Sequence, residues 1–252
     1  MSSGTTTDAS SGGAIAVLSG YSTERSSGDI DLATADSGDA GVSGALRFAT
    51  GTTSAGNSGS ISLSTGASTL GKAGSVLLKV GAGNTANGGD VALTAGQTTS
   101  DGGAGGDLIF TAGIATRGVG GSVQVAGGAS AASAGGAMLF EGGVGHTLTG
   151  GAIAVHSGRS ASTTSGSIDV GTANAGANGV SGSLTFSTGT TSRGNSGAVA
   201  VLTGNATNGK SGAIRITVGE GNTASGGRIA VVSGTTTDAS SGGAIAVLSG
   251  YS

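Results

Sequence analysis

The most recognisable chemical pattern in the chain is the run GNATNGKS at residues 204–211. It fits G-x-x-x-x-G-K-[ST], in which glycine amides and the N-terminus of a following helix hold phosphate. The next residues, GAIRITV, alternate apolar and polar side chains and so predict an extended segment where that helix would begin. The run GASTLGKA at residues 66–73 has the same spacing. We therefore interpret the match as a property of an internal repeat.

Three aspartates are the candidate metal ligands. Asp90 and Asp107 take the same position in neighbouring repeat units, and Asp101 lies in the longer turn between them. Carboxylates one strand spacing apart repel each other, and a hard cation such as Ca²⁺ would relieve that repulsion. Solvated surface acids are the favoured interpretation, so no cofactor is predicted.

Acid–base catalysis would have to use one of two histidines, His146 and His156. Glu141 and His156 share a position in neighbouring units, as the two members of a dyad would, but no nucleophile or third partner accompanies them. A cross-strand surface pair is the simpler interpretation, and Asp31 beside Arg47 is a pair of the same kind. No catalytic residue is predicted, and the protein is not expected to be an enzyme.

Threonines recur at one position in successive units, which raises the possibility of a face that orders water. The two ranks are Thr34, Thr50 and Thr65, and Thr172, Thr188 and Thr203. An ice-matching face should be regular over many units, whereas the outward positions between the apolar ones vary widely. Binding of ice or a polysaccharide is therefore kept as the alternative function.

These residues all belong to one repeat unit, G-x-h-x-h-x-x-G followed by seven small or polar residues, where h is apolar. The opening glycines of the sixteen units are Gly13, Gly28, Gly44, Gly59, Gly74, Gly89, Gly106, Gly121, Gly136, Gly151, Gly166, Gly182, Gly197, Gly212, Gly227 and Gly243. The first apolar column contains Ile15, Ile30, Leu46, Ile61, Val76, Val91, Leu108, Val123, Met138, Ile153, Ile168, Leu184, Val199, Ile214, Ile229 and Ile245. The second contains Val17, Leu32, Phe48, Leu63, Leu78, Leu93, Phe110, Val125, Phe140, Val155, Val170, Phe186, Val201, Ile216, Val231 and Val247.

The spacing of the two apolar columns predicts the fold. Positions two residues apart and rich in β-branched side chains indicate a strand with both side chains on one face. Such a short strand is not stable alone, but stacked copies about 4.8 Å apart would align the columns into ladders. The sequence therefore predicts an all-β fold, a parallel β-solenoid (flattened β-helix) of about 16 coils of mostly 15 residues. A triangular cross-section is the alternative. Glycines at both ends of each strand are expected to form tight corners, where a positive φ favours glycine.

The unit length varies at four places, which indicates an older duplication. Steps of sixteen residues follow Gly28, Gly166 and Gly227, and one of seventeen follows Gly89; the extra residues are expected to bulge from turns. Residues 27–59 match residues 165–197 at 22 of 33 positions, so nine units form the duplicated block. The whole chain, residues 1–252, is expected to be a single solenoid domain.

Residues 3–22 and 233–252 are the same twenty amino acids. The chain is thus interpreted as one period of a longer tandem array, or as a segment with ends made equal for head-to-tail stacking. Both alternatives imply an excised or engineered piece of a filament. The expected interfaces are the outward apolar residues Leu77, Ile109 and Leu139 and the terminal units, with Gly13, Ile15, Val17, Gly243, Ile245 and Val247.

The composition excludes several classes of protein. The 56 glycines and 9% charged residues suggest low complexity, but 36% hydrophobic residues are more than disorder usually allows. A net charge of −3 provides no basic surface for nucleic acid or anionic lipid. No apolar run is long enough for membrane insertion, and residues 1–8 show no signal peptide. The chain contains no cysteine and no proline, and proline would interrupt inter-coil ladders.

The runs SGSISLSTG at residues 58–66 and SGSLTFSTG at 181–189 resemble the long Gly/Ser/Thr-rich repeats of large surface or secreted proteins of marine algae. The likeness covers essentially the whole chain at the level of the repeat and contains no catalytic motif. It implies an extracellular or cell-surface structural role. We expect a non-enzymatic solenoid segment of a fibre, stalk or matrix, with the protein itself as partner through end-to-end and lateral association.

Overall fold

The computed structural model describes residues 2–7, 10–85, 87–223 and 225–250. These residues contain no helix and no β-strand. The predicted all-β fold, a parallel β-solenoid or β-helix of about 16 coils, is therefore wrong. The chain divides into two units, Met1–Val125 and Ala126–Ser252, and each is described by itself.

In Met1–Val125, irregular segments alternate with loops, and four of the loops are closed at their base by one backbone hydrogen bond between described residues. The amide of an opening glycine donates to the carbonyl of the glycine that ended the preceding segment. The N···O distances are 3.1 Å for Gly13 to Gly4, 2.9 Å for Gly28 to Gly20, 2.8 Å for Gly106 to Gly96 and 2.9 Å for Gly121 to Gly113.

The same closure recurs in Ala126–Ser252. The N···O distances are 2.8 Å for Gly136 to Gly128, 2.8 Å for Gly151 to Gly143, 3.0 Å for Gly166 to Gly158 and 2.9 Å for Gly243 to Gly234. Both units therefore use one local solution, a loop of about seven residues tied off between two glycines.

The backbone hydrogen bonds that a solenoid requires are not present among the described residues. A coil of fifteen residues needs ladder bonds between residues about fifteen apart. Every backbone hydrogen bond between residues that the structure describes joins positions three to ten apart. The loop residues also bond among themselves: the Ser22 hydroxyl accepts from the Glu24 and Arg25 amides at 3.3 and 2.9 Å. The loop is thus one compact turn and supplies no return strand.

The serines at equivalent loop positions act in the same way. The Ser130 hydroxyl accepts from the Ala132 and Ser133 amides at 3.3 and 2.9 Å. The Ser160 hydroxyl accepts from the Ser162 and Thr163 amides at the same two distances. A serine two residues after the glycine that ends a segment therefore accepts hydrogen bonds from amides that would otherwise have no partner, as in the first turn of a helix.

Close approach, and not a left-handed backbone, explains the glycine at three of the opening positions, Gly89, Gly151 and Gly227. A Cβ atom on Gly151 would lie 2.9 Å from the Gly143 nitrogen, and one on Gly227 would lie 2.7 Å from Cγ1 of Val218. Positive φ occurs instead at Gly56, Gly102 and Gly194, inside loops. Among the glycines that the structure describes, the expectation of positive φ at the segment ends is wrong.

Three of the four longer units contain a tight turn closed by a backbone hydrogen bond. The Gly41 amide donates to the Gly38 carbonyl at 3.0 Å, and the Gly179 amide to the Gly176 carbonyl at 3.1 Å. In the longest unit, the Gly103 amide donates to the Ser100 carbonyl at 3.1 Å. The first two turns are 138 residues apart, the offset of the sequence duplication. Duplicated sequence therefore adopts the same local structure.

The two glycines at the base of one loop, Gly143 and Gly151, provide a test of the hydrogen bond that closes it. We predict that Gly151→Ala, which places a Cβ against a backbone atom, weakens the bond from residue 151 to Gly143. Gly143→Ala is the matched control, because no atom lies within 4 Å of its added Cβ. Amide hydrogen exchange at residue 151 should lose about 2- to 10-fold protection in Gly151→Ala alone, the range expected for one net hydrogen bond. Equal protection in both variants would contradict the steric explanation.

Candidate interaction surface

The most distinctive property of the structure is that no residue it describes is buried. The accessible surface is 24950 Å², against about 9,600 Å² for a compact chain of 22.9 kDa. About 15,000 Å² that a compact monomer would cover therefore remains open. No pocket that could enclose a substrate is found among the residues described.

The exposure is nevertheless uneven across each segment. In the consecutive residues Val76, Leu77 and Leu78, the exposed fractions are 57%, 83% and 71%. The middle residue is the most exposed, as an extended chain with alternating side chains requires. Two further triplets show the same order: Leu108, Ile109, Phe110 and Met138, Leu139, Phe140. Each segment therefore has two faces.

We call the less exposed of these two faces the apolar face. It consists of the two apolar columns together with the residue six positions after each opening glycine. Those third-column residues are Ser19, Thr34, Thr50, Thr65, Val80, Ala95, Ala112, Gly127, Gly142, Ser157, Thr172, Thr188, Thr203, Val218, Ser233 and Ser249. The outer face consists of the residues one, three and five positions after each opening glycine.

The charges of the segments lie on one side only. The apolar face has three positions in each of sixteen units, and none of the forty-eight carries a charged residue. The outer face carries ten: Asp29, Asp31, Arg47, Lys79, Asp90, Asp107, Glu141, Asp169, Arg215 and Arg228. Depletion of charge is the compositional mark of the core of a protein interface.

The third column is the part of the chain where packing is closest. Ser19, Ala95, Ala112 and Ser233 are half-buried, whereas almost all other residues described are exposed. Each lies at a loop base: Cβ atoms added to Gly28, Gly106, Gly121 and Gly243 would contact their side chains. This column was not predicted from the sequence to be a packing position. The absence of charge from all sixteen of its residues could have revealed it.

The threonine ranks belong to this column, and some of their hydroxyls are used within the chain. The Thr34 hydroxyl donates to the Gly44 carbonyl at 3.1 Å, and the Thr65 hydroxyl to the Gly74 carbonyl at 3.3 Å. A water-ordering face needs its hydroxyls directed to solvent. The observed bonds therefore provide no support for an ice-binding surface.

The residues with candidate chemistry are not brought together. No group of three or more His, Asp or Glu side chains that could hold a metal ion occurs in the described ranges, so Asp90, Asp101 and Asp107 do not form one. Neither hydrogen bond nor ion pair joins Glu141 to His156. The phosphate-loop pattern at residues 204–211 is not followed by a helix.

The predicted charge pair Asp31 and Arg47 is likewise unjoined by hydrogen bond or ion pair. These two residues are sixteen positions apart, and so are partners only in stacked coils. Without inter-unit ladders, residues equivalent in neighbouring units have nothing to hold them at strand spacing. The same reason applies to Glu141 with His156.

The predicted interface residues are all accessible. Leu77, Ile109 and Leu139 lie on the outer face and are at least 76% exposed. In the terminal units, Ile15, Val17, Ile245 and Val247 are each more than half exposed, and Gly13 and Gly243 close equivalent loops. Four residues of the identical terminal sequences, Asp8, Ala9, Tyr251 and Ser252, lie outside the described residues.

One carboxylate has a perturbed titration. The Thr236 hydroxyl donates to Oδ1 of Asp238 at 2.6 Å, and the Ser240 amide donates to the same atom at 2.9 Å. The bond from Thr236, followed by those from Ser240, lowers the pKa of Asp238 below its usual 3.8. These bonds tie together residues 236–240 within one loop.

The chain was compared with known proteins at three levels. No protein-family model matches it, and neither the curated proteins nor the solved structures include a match. Within the described residues, no helix is long and apolar enough to cross a membrane. The properties of the apolar face therefore carry the functional argument.

The Asp238 loop gives a prediction for pH. Because the folded pKa is lowered, the carboxylate supports the loop above the unfolded pKa of about 3.9, and that support is lost as pH falls through the folded value. Thr236→Ala should raise the pKa of Asp238 toward its usual value, whereas Thr236→Ser should keep it low. A carboxyl-carbon NMR titration of the three proteins measures this. An identical titration in Thr236→Ala would contradict the assigned cause.

Proposed function

We propose that the protein is a non-enzymatic structural repeat protein whose copies associate into a fibre, stalk or matrix. The observation that supports this most directly is the uncharged apolar face, which recurs in all sixteen units while no described residue is buried. Apolar surface of this extent is normally covered in a working protein. Association with further copies would cover this apolar surface, which the isolated chain leaves exposed.

The amount of open surface favours assembly of many copies over binding of one small partner. A standard protein–protein interface removes about 800 Å² from each partner. The chain exposes about 15,000 Å² more than a compact protein of its mass. One interface of standard size would leave most of this surface in water, whereas contacts repeated along every unit would cover it progressively.

The distribution of reactive groups supports a structural role over a catalytic one. The chain has two histidines and no cysteine, and its charged residues are spread along the outer face and the loops. Catalysis needs convergent groups in a site that excludes water. Because the repeat resembles those of algal surface proteins, we also propose an extracellular or cell-surface location.

The proposal predicts reversible, concentration-dependent self-association. Analytical ultracentrifugation and light scattering should show a mass that rises with concentration, and electron microscopy should show extended assemblies. Because the proposed contact is apolar and uncharged, sulfate should strengthen the association, and moderate sodium chloride should not dissolve it. A monomer at every accessible concentration, with and without sulfate, would overturn the proposal.

A further inference from the structure

We infer that the apolar face of one chain is covered by the apolar face of a second copy, while the outer faces remain directed away from the contact. This inference deepens the proposed function and rests on it, because it specifies which surface the copies use. The partner it names is the same chain.

Charge decides which face can be buried. An unpaired charge transferred from water into an apolar contact is strongly unfavourable. The apolar face contains no charged residue in any unit, so burying it desolvates no ionised group. The outer face would bury ten, spread over the length of the chain. A contact through the apolar face is therefore the one that the chemistry permits along every unit.

Periodicity favours a second copy as the occupant. The apolar positions recur every fifteen residues in most units, and a copy of the chain has the same repeat by construction. A partner without this repeat would match one or two units and then lose register. A face that pairs with itself also forms the self-complementary contact typical of homo-oligomers.

The longer units do not interrupt the face. Their extra residues form turns inside loops, such as the one closed by the Gly41 amide on the Gly38 carbonyl. Each of these units keeps all three positions of the apolar face. The extra residues therefore add no charged position to the apolar face of their own unit.

Four phenylalanines provide the largest contacts. Phe48, Phe110, Phe140 and Phe186 all lie in the second apolar column and are 65–72% exposed. Large aromatic side chains dominate interface energetics when a partner covers them. Their restriction to the apolar face is consistent with a contact centred there.

The outer apolar residues are the competing surface. Large apolar residues occur on the outer face in seven of the sixteen units, against two in every unit of the apolar face; the seven are Leu18, Leu77, Ile109, Leu139, Leu202, Val232 and Leu248. Three of them share their face with a charged residue two positions away: Leu77 with Lys79, Ile109 with Asp107 and Leu139 with Glu141. Apolar residues scattered singly among charges are normal on a protein surface. The two faces are adjacent along the chain, which allows a closely matched experiment.

The test compares two triple variants. One places glutamates on the apolar face: Leu78→Glu, Phe110→Glu and Phe140→Glu. The other places them on the neighbouring outer positions: Leu77→Glu, Ile109→Glu and Leu139→Glu. Both change the net charge from −3 to −6, and every altered side chain is at least 65% exposed, so neither disturbs a monomer core.

We expect the apolar-face variant to raise the concentration needed for assembly by about a hundredfold or more, because its carboxylates would be buried unpaired. The outer-face variant should assemble within a few-fold of the native chain. The opposite result, or equal behaviour of the two variants, would overturn the assignment of the face. Failure of the native chain itself to assemble would instead overturn the proposed function.

A spin label provides a second readout that does not depend on added charge. The chain has no cysteine, so Leu78→Cys and Leu77→Cys each allow a single attachment site in the full-length protein. On assembly, the label at position 78 should lose mobility while the label at position 77 keeps most of it. Immobilisation at position 77 alone would assign the contact to the outer face and overturn the inference.

Discussion

The close contact between two backbone positions at the base of eight loops is the constraint on which the rest of the structure depends. An opening glycine donates its amide to the carbonyl that ended the previous segment, at 2.8 Å in the Gly151 loop, and this approach leaves no space for a Cβ. The third-column residue packs against the same glycine. The bond joins residues eight to ten apart, so it closes a loop and does not connect equivalent positions of neighbouring units.

Local closure has a direct consequence for the apolar side chains. Each unit contributes two of them, and a loop closed at its base brings no other segment against them. They remain more than 40% exposed in every unit. Folding of a single chain thus leaves most of its hydrophobic stabilisation unrealised, because that term scales with the apolar area removed from water. Association with further copies is the step at which this area can be buried, which links the local geometry to the proposed function.

Several features could be predicted from the sequence. The two apolar columns predicted a strand with both side chains on one face. The strand is wrong, although Val76 and Leu78 are less exposed than Leu77 between them. The placement of extra residues in turns was predicted from the irregular unit lengths, and the turn from Gly38 to Gly41 confirms it. The stacked solenoid was wrong, and the pairing of Asp31 with Arg47 that stacking would have created is not present. The apolar surface was visible as a pattern, but its exposure was not.

The sequence by itself determined the repeat unit, the two-sided character of its segment and the separation of apolar from charged positions, because these follow from residue identity and from the period-two geometry of an extended chain. Only the tertiary structure decided which carbonyl accepts the hydrogen bond from the amide of an opening glycine. A fifteen-residue period fits a bond to the next unit and a bond across the loop equally well, since both repeat once per unit. The loop serines, exemplified by Ser22, favour the local alternative by satisfying nearby amides, and that choice leaves the apolar face open.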